Sequence, residues 1–353
     1  MNSKRILVAP LNWGLGHAAR CIPIIKGLEE NGFEPILASD GAALLLLQKE
    51  FPHLLSIELP SYDIRYSTNG AYLKWKLLME SPRLLRTVNK EKGLTEKIVH
   101  NYAIKGIISD NRFGVRSEKL KKNVYITHQL NVLSGNTTFL SSTFHQSYIK
   151  KFEQCWIPDN ESEPNLSCIL GHTPTRLNNL KYIGPISRFE KLEIPKIYDY
   201  LVLLSGPEPQ RSILENILLK NFQNTEKKIL FVRGVMNKDR IEVKNSNLII
   251  KDHLYGKALE EAMNCSETMI SRSGYSSIMD LAKLQKKAFF IPTPGQEEQE
   301  YLAQRFEDLG MAPFCRQKDF EISQLKKMKD YRGLGNFGQG SCFRDLFTFF
   351  HGK

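Results

Sequence analysis

The 353-residue sequence has only six cysteines, Cys21, Cys155, Cys168, Cys265, Cys315 and Cys342, and no two of them form a Cys-x-x-Cys pair. This argues against a disulfide framework and a cysteine-ligated zinc site, and a reducing, cytoplasmic setting is expected. Long apolar runs are missing too. The longest aliphatic run, Ala42–Leu47, is far short of the ~20 residues that cross a bilayer. Met1–Arg5 lead directly into the apolar stretch Ile6–Ala9, without the charged-then-apolar profile of a secretory leader. No long Lys/Arg tract, zinc-finger spacing or RNA-binding signature occurs, so nucleic acid is not an expected partner. No repeat of solenoid length is visible. No Asp-x-Asp motif stands where it would hold a catalytic metal, so no essential metal is expected.

What is present is an ordinary globular composition, 41% hydrophobic and 25% charged. The length suits two domains of ~150–180 residues. The formal charge of +11 favours an anionic partner, such as acidic lipid or a phosphorylated small molecule. The plainer alternative is lysine that only keeps the chain in solution.

Short apolar runs alternate with helical patterns in both halves. Strands are expected at Ile6–Ala9, Glu34–Ser39, Leu55–Leu59, Gly106–Ser109 and Val124–Thr127. Helices are expected near Gly16–Asn31, Gly41–Lys49 and Pro82–Tyr102. The second half restarts at Tyr200–Leu204, with a helix over Gln210–Lys220. Strands follow at Ile229–Arg233, Leu248–Lys251, Met269–Ser271 and Ala288–Ile291, and helices over Tyr275–Leu284 and Glu297–Leu309. Strand, crossover helix and strand in series mean parallel sheets with helices on both faces. The expected fold class is therefore α/β, with two doubly wound, Rossmann-like domains. The boundaries are 1–183, a linker at 184–197 around Pro185 and Pro195, and 198–335. A last segment, 336–353, includes a short amphipathic helix at Phe343–Phe350 that would cross back to the first domain. Tyr72–Arg86 mixes Trp75, Leu77, Leu78 and Met79 with Lys74, Lys76, Arg83 and Arg86. It suits an anionic lipid surface, or an ordinary helix with a buried face.

Doubly wound sheets bind ligands beyond the carboxyl ends of their strands, so chemistry is sought there. The first strand runs into Gly14-Leu15-Gly16-His17. Two glycines before a helix let backbone approach a ligand, and the free N–H groups of the helix start suit an anion. His17, on the first helical turn, is placed to act as a general base. The helix dipole there disfavours imidazolium, which favours the neutral, proton-accepting form; the alternative is a capping histidine. In the second half, Ser271-Arg272-Ser273-Gly274 closes a strand and opens a helix, the arrangement of a phosphate site. Asp280, further along that helix, suits a ribose diol, or is simply solvated. Gln299 and Glu300 follow the rigid turn Pro292-Thr293-Pro294-Gly295, where an amide and a carboxylate suit sugar hydroxyls.

Taken together, Ser271–Gly274, Asp280, Pro292 and Gln299 resemble the donor-binding half of the UDP-N-acetylglucosamine transferases of lipid II synthesis. The wider GT-B glycosyltransferases share this pattern. Gly14–His17 is similar to that family's N-terminal glycine loop, and Ile183–Arg188 to its entry into the second domain. The resemblance implies two domains facing across a cleft that holds a nucleotide-sugar donor, a UDP-sugar such as UDP-GlcNAc. It implies inverting transfer of the sugar to an acceptor hydroxyl, and peripheral contact with the inner face of the membrane to reach a lipid-linked acceptor. By residue, it implies that His17 lies near the transferred sugar and Arg188 near the diphosphate. Ser273 and Gly274 would hold phosphate, Asp280 the ribose in place of the usual glutamate, and Gln299 the sugar. Glu300 stands where a second glutamine is usual. Ser205 and Gly206 keep the family's loop after the first strand of the donor domain, though Pro207 and Pro209 stiffen it; Arg211 there is a further candidate phosphate contact. His128 and Asn131 would lie on the acceptor side, with a core role as the alternative for His128. Two other readings suit the same architecture, a nucleotide-sugar epimerase and a non-catalytic nucleotide-sugar-binding subunit.

Overall fold

The computed structural model describes residues 4–62, 81–206, 208–235, 240–335, 337–338 and 342–351. Most of the basic amphipathic stretch, 72–80, lies outside these residues, as does Pro207. The chain divides into two compact units, with the change between them at Arg188/Phe189 and the residues from Phe337 onward belonging to the first.

The first unit contains strands β1 (Lys4–Pro10), β2 (Phe33–Ser39), β3 (Ser56–Glu58), β4 (Gly106–Asp110), β5 (Asn123–Ile126), β6 (Gln154–Ile157) and β7 (Leu180–Tyr182). Its helices are α1 (Gly16–Glu30), α2 (Gly41–Glu50), α3 (Ser81–Asn101) and α4 (Thr138–Ile149). The sheet order is β3-β2-β1-β4-β5-β6-β7, with every pairing parallel. Ile6, Leu7, Val8 and Ala9 are fully buried, as a central strand covered on both faces requires. The order reverses between β1 and β4, which makes their carboxyl ends the switch point of the sheet. A C-terminal helix, Phe343–His351, packs on this unit. A Cβ on Gly27 of α1 would lie 2.9 Å from the Phe343 ring, so the glycine makes room for it. Lys4 Nζ donates to the His351 carbonyl (2.8 Å) and Lys122 Nζ to that of Phe350 (3.2 Å), which satisfies the last carbonyls of the helix.

The second unit contains β8 (Tyr198–Leu203), α5 (Gln210–Phe222), β9 (Ile229–Val232), β10 (Ile241–Asn245), β11 (Leu248–Lys251), α6 (Gly256–Asn264), β12 (Ser266–Ser271), α7 (Tyr275–Leu284), β13 (Lys287–Phe290) and α8 (Glu297–Asp308). The sheet order is β10-β11-β9-β8-β12-β13. Here the switch falls between β8 and β12.

The elements expected from sequence are present to within a few residues. The sequence reading missed β6, β7, β10, α4 and α6. Strands β6 and β7 are four and three residues long, too short for a periodicity to show. Strand β10 corrects the expectation of a wholly parallel second sheet. It turns back on β11 through Ser246-Asn247 and pairs antiparallel at the edge, where a tight hairpin needs no crossover helix.

Candidate functional site

In the first unit the chemistry gathers where β1 and β4 end. After Pro10 the chain turns through Gly14 at φ +76°, a conformation that a side chain resists, and α1 begins at Gly16. His17 and Arg20 then lie one helical turn apart on one face. Asp110, the last residue of β4, is fully buried and meets both. His17 Nδ1 lies 2.8 Å from Asp110 Oδ1, and Arg20 grips both carboxylate oxygens through Nε and Nη2. Burial pushes the Asp110 carboxyl up, but the Arg20 charge and His17 outweigh it and hold the group well below the usual carboxylate range. Arg20 Nη2 also lies 2.9 Å from His17 Nδ1. The ionised carboxylate is the stronger acceptor, so both N–H groups point at Asp110. The His17 Nδ1 proton is thereby fixed, and the lone pair is left on Nε2. Among the described residues Nε2 has no hydrogen-bond partner, and the side chain is 13% exposed. This is a histidine oriented by an aspartate, with its second nitrogen open to take a proton.

His128 belongs to the same network from behind. It is buried, and its Nδ1 accepts from Arg20 Nη1 at 2.8 Å, so it steadies the arginine. Asn131 is committed to loop structure, donating to the carbonyls of Ile169 (2.6 Å) and His172 (2.9 Å). A second buried cluster braces the loops. Arg112, fully buried, donates to the Pro10 carbonyl (2.9 Å), to Glu91 (2.6 Å) and to Asp40 at the end of β2. Asn12 donates to Asp40 at 3.0 Å, which ties the loop after β1 into the cluster.

In the second unit β12 ends at Ser271, and α7 opens after Gly274, whose backbone is extended at φ −73°, ψ 140°. Nothing lies within 4 Å of where a Gly274 Cβ would sit, so the helix start is open to a ligand. The serine hydroxyls are engaged elsewhere. Ser273 Oγ donates to the Gln299 carbonyl (2.6 Å), and Ser271 Oγ to that of Arg272 (3.0 Å). The Gln299 side chain is buried and accepts from the Thr293 N–H at 2.9 Å. In this structure Ser273 and Gln299 therefore join the loop before α7 to the start of α8, beside the backbone N–H groups that open α7. Glu300 is exposed and accepts from the Gly295 N–H at 3.0 Å. Asp280 is half-buried on α7. Ser205 and Gly206 follow β8, with Gly206 at φ +104°.

Two arginines expected at the phosphates are matched by carboxylates. Arg211 pairs with Glu208 at 2.7 Å and Glu215 at 2.5 Å. Arg188 lies in the first unit, its Nη1 3.7 Å from Glu50 of α2. Asp110, Arg20 and Arg272 were missed from sequence. A signal existed for Asp110, an acidic residue closing an apolar strand.

Residues 200–330 match the glycosyltransferase family 28 C-terminal domain. The chain is 26% identical over 210 residues, 58% of its length, to the UDP-N-acetylglucosamine--N-acetylmuramyl-(pentapeptide) pyrophosphoryl-undecaprenol N-acetylglucosamine transferase of Buchnera aphidicola subsp. Schizaphis graminum. Matches of this kind span 36% and 56% of the length of the first two such relatives. Among solved structures, the glycotransferase of kitacinnamycin superposes with a TM-score of 0.61 at 10% identity, covering 93% of this chain and 90% of that one. The MurG of Acinetobacter baumannii does so at 0.51 and 12% identity, covering 93% and 91%. The two α/β units have the GT-B glycosyltransferase fold.

Proposed function

We propose that this chain is a glycosyltransferase that moves a sugar from a nucleoside diphosphate donor to an acceptor hydroxyl. The observation that carries this reading is the His17–Asp110–Arg20 arrangement at the switch point of the first sheet. It supplies an oriented base in a chain whose second unit carries a phosphate-type helix start.

In the step we infer, the acceptor hydroxyl gives its proton to His17 Nε2 as its oxygen bonds to the anomeric carbon. The bond from that carbon to the diphosphate breaks, and the electron pair leaves with the diphosphate. Asp110 stabilises the imidazolium that forms, and the N–H groups at the start of α7 receive the leaving group. A single displacement of this kind inverts the anomeric centre. The first unit then serves the acceptor and the second the donor. We take the developing charge to be met by protein groups, without an essential metal.

The finer identity rests on the relatives. Their names specify a UDP-N-acetylglucosamine donor and a pyrophosphoryl-undecaprenol acceptor. A UDP-sugar donor and a lipid-linked acceptor are the corresponding reading here, with the chain working at the inner face of the membrane. The net charge of +11 supports approach to anionic lipid. Among the described residues no helix is long and apolar enough to cross a membrane, which fits peripheral attachment.

The test is turnover of UDP-N-acetylglucosamine with a polyprenyl-diphosphate-linked acceptor, in the wild type and in His17→Ala. The variant is expected to lose about 10²–10⁴-fold in kcat. Unchanged turnover would remove His17 from the chemistry. Conversion of the donor alone, with no acceptor present, would replace this reading with an epimerase, and tight UDP binding without any turnover would leave a binding subunit.

A further inference from the structure

Arg272 is 2% exposed, yet every hydrogen bond it makes goes to a neutral oxygen. Nη1 donates to the carbonyls of Ile291 (2.9 Å) and Pro292 (3.1 Å), and Nη2 to the Gln210 carbonyl (2.9 Å) and to Gln317 Oε1 (2.7 Å). Among the described residues no carboxylate pairs with it. Burial alone pushes its guanidinium down to about 9, with no charged neighbour contributing in either direction. At neutral pH the group is therefore still a cation. The four oxygens satisfy every N–H but that of Nε, which is buried with no partner among the described residues, and none of them cancels its charge.

Its neighbours are treated differently. Arg211 is met by Glu208 and Glu215, and Arg233 by Glu215, Glu242 and Asp252. Pairing is thus the rule for arginines in this part of the unit, and Arg272 departs from it where a counter-ion would have been easy to supply. Gln317 already points its oxygen at the guanidinium, and glutamate has the same shape. An unpaired buried charge weakens a fold, so the gain must be sought in what the charge does. Arg272 stands one residue before Ser273 and two before Gly274, and its guanidinium is held against the carbonyls where β13 ends and α5 begins, at the carboxyl edge of the sheet. From that edge its charge adds to the positive end of α7, which carries its own partial charge.

We propose that Arg272 is the fixed counter-charge of the donor site. It is a positioning residue that never touches the ligand, and its uncompensated field holds the diphosphate and the charge that builds on it as the sugar departs. This inference rests on the reading of the chain as a nucleoside diphosphate-sugar transferase. Removing Arg272 would strip the loops of four hydrogen bonds and risk the fold, so the decisive change neutralises the charge in place.

Gln317→Glu gives Arg272 an ion-pair partner, and the Gln210 amide, which accepts from Gln317 at 3.1 Å, can turn to donate instead. The experiment is calorimetric titration of the full chain with UDP and with uridine, alongside thermal melting. Gln317→Glu is expected to melt no lower than the wild type, to bind UDP about tenfold more weakly, and to bind uridine within about twofold of the wild type. Gln317→Leu, which keeps the charge and loses two hydrogen bonds, is expected to melt lower yet to weaken UDP far less than Gln317→Glu. The inference is overturned if Gln317→Glu binds UDP as the wild type does, if uridine weakens equally, or if UDP affinity follows melting temperature across the variants. Should Gln317→Glu not fold, Gln210→Glu brings a carboxylate to the same cluster and is read in the same way. Failure of the wild type to bind UDP would remove the transferase reading and this inference together. UDP binding by the wild type with an unaltered Gln317→Glu removes the inference alone.

Discussion

The two candidate sites bury charge in opposite ways. Beneath the ends of β1, β2 and β4 in the first unit the buried ions meet partners of the other sign, whereas Asp159, past β6 and away from this cluster, is buried among neutral donors. Asp110 meets Arg20 and His17, and Arg112 meets Asp40 and Glu91. In the second, Arg272 is surrounded by neutral oxygens. A paired cluster fixes geometry. It sets which histidine nitrogen carries the proton and holds the loops around it, with little field left beyond the cluster. An unpaired cation is less stable, but its field persists outside the atoms that hold it, which a site for a multiply charged anion can use. Orientation for the base and field for the leaving group are different needs, and the chain meets them with different chemistry.

The largest effect that would break this contrast is expected at Asp110. In Asp110→Asn the amide no longer fixes the His17 tautomer or stabilises the imidazolium, so kcat should fall about 10³–10⁴-fold. Arg20 is left buried without its ion, which should destabilise the fold by about 3–5 kcal/mol. Steady-state kinetics with a urea titration reads both. A loss of UDP affinity with kcat retained would show that the cluster serves the field and not the tautomer.

Glu91→Gln is the next step down. Glu91 is buried, and burial raises its carboxyl while Arg112 pulls it back. The variant leaves Arg112 with Asp40 alone. Stability should drop by about 2–3 kcal/mol, with kcat near that of the wild type at temperatures where the variant is folded. A fall in kcat as large as that of Asp110→Asn would mean that the two clusters act as one device.

These clusters also mark what a sequence discloses and what it withholds. His17 and the Ser271–Gly274 loop were legible because each lies where a strand pattern gives way to a helical one, and Gly14 and Gly274 punctuate those boundaries. Asp110 and Arg20 were not, because their meeting depends on β1 and β4 being neighbours, and they stand ninety residues apart along the chain. No periodicity carries that pairing. Ser273 and Gln299 show the converse. Their residue types suit a phosphate and a sugar, and only the fold reveals that each is already bonded within the protein. Arg272 stands in plain view inside its motif, but a sequence does not say whether an arginine is paired.

The smallest and sharpest effect asks why the unpaired position holds arginine. Lys286, in the same unit, is likewise buried and bonded to carbonyls, those of Asn264 (2.9 Å) and Ser266 (2.7 Å). Burial, with help from nearby lysines, brings it down to about 7, well below the usual range of an amine. The same desolvation leaves Arg272 at about 9, still a cation. Lysine begins from a lower pKa and loses its proton where arginine keeps it. Arg272→Lys should therefore bind UDP nearly as the wild type does at pH 6, where burial has not yet taken the proton. Near pH 8.5 the buried amine is neutral and the field is gone, so affinity should fall about tenfold relative to the wild type at the same pH. The sign follows from the cation being the low-pH form, and referring each value to the wild type removes the titration of UDP itself. A ratio that stays flat from pH 6 to 8.5 would mean that the position needs the shape of arginine and not its permanent charge.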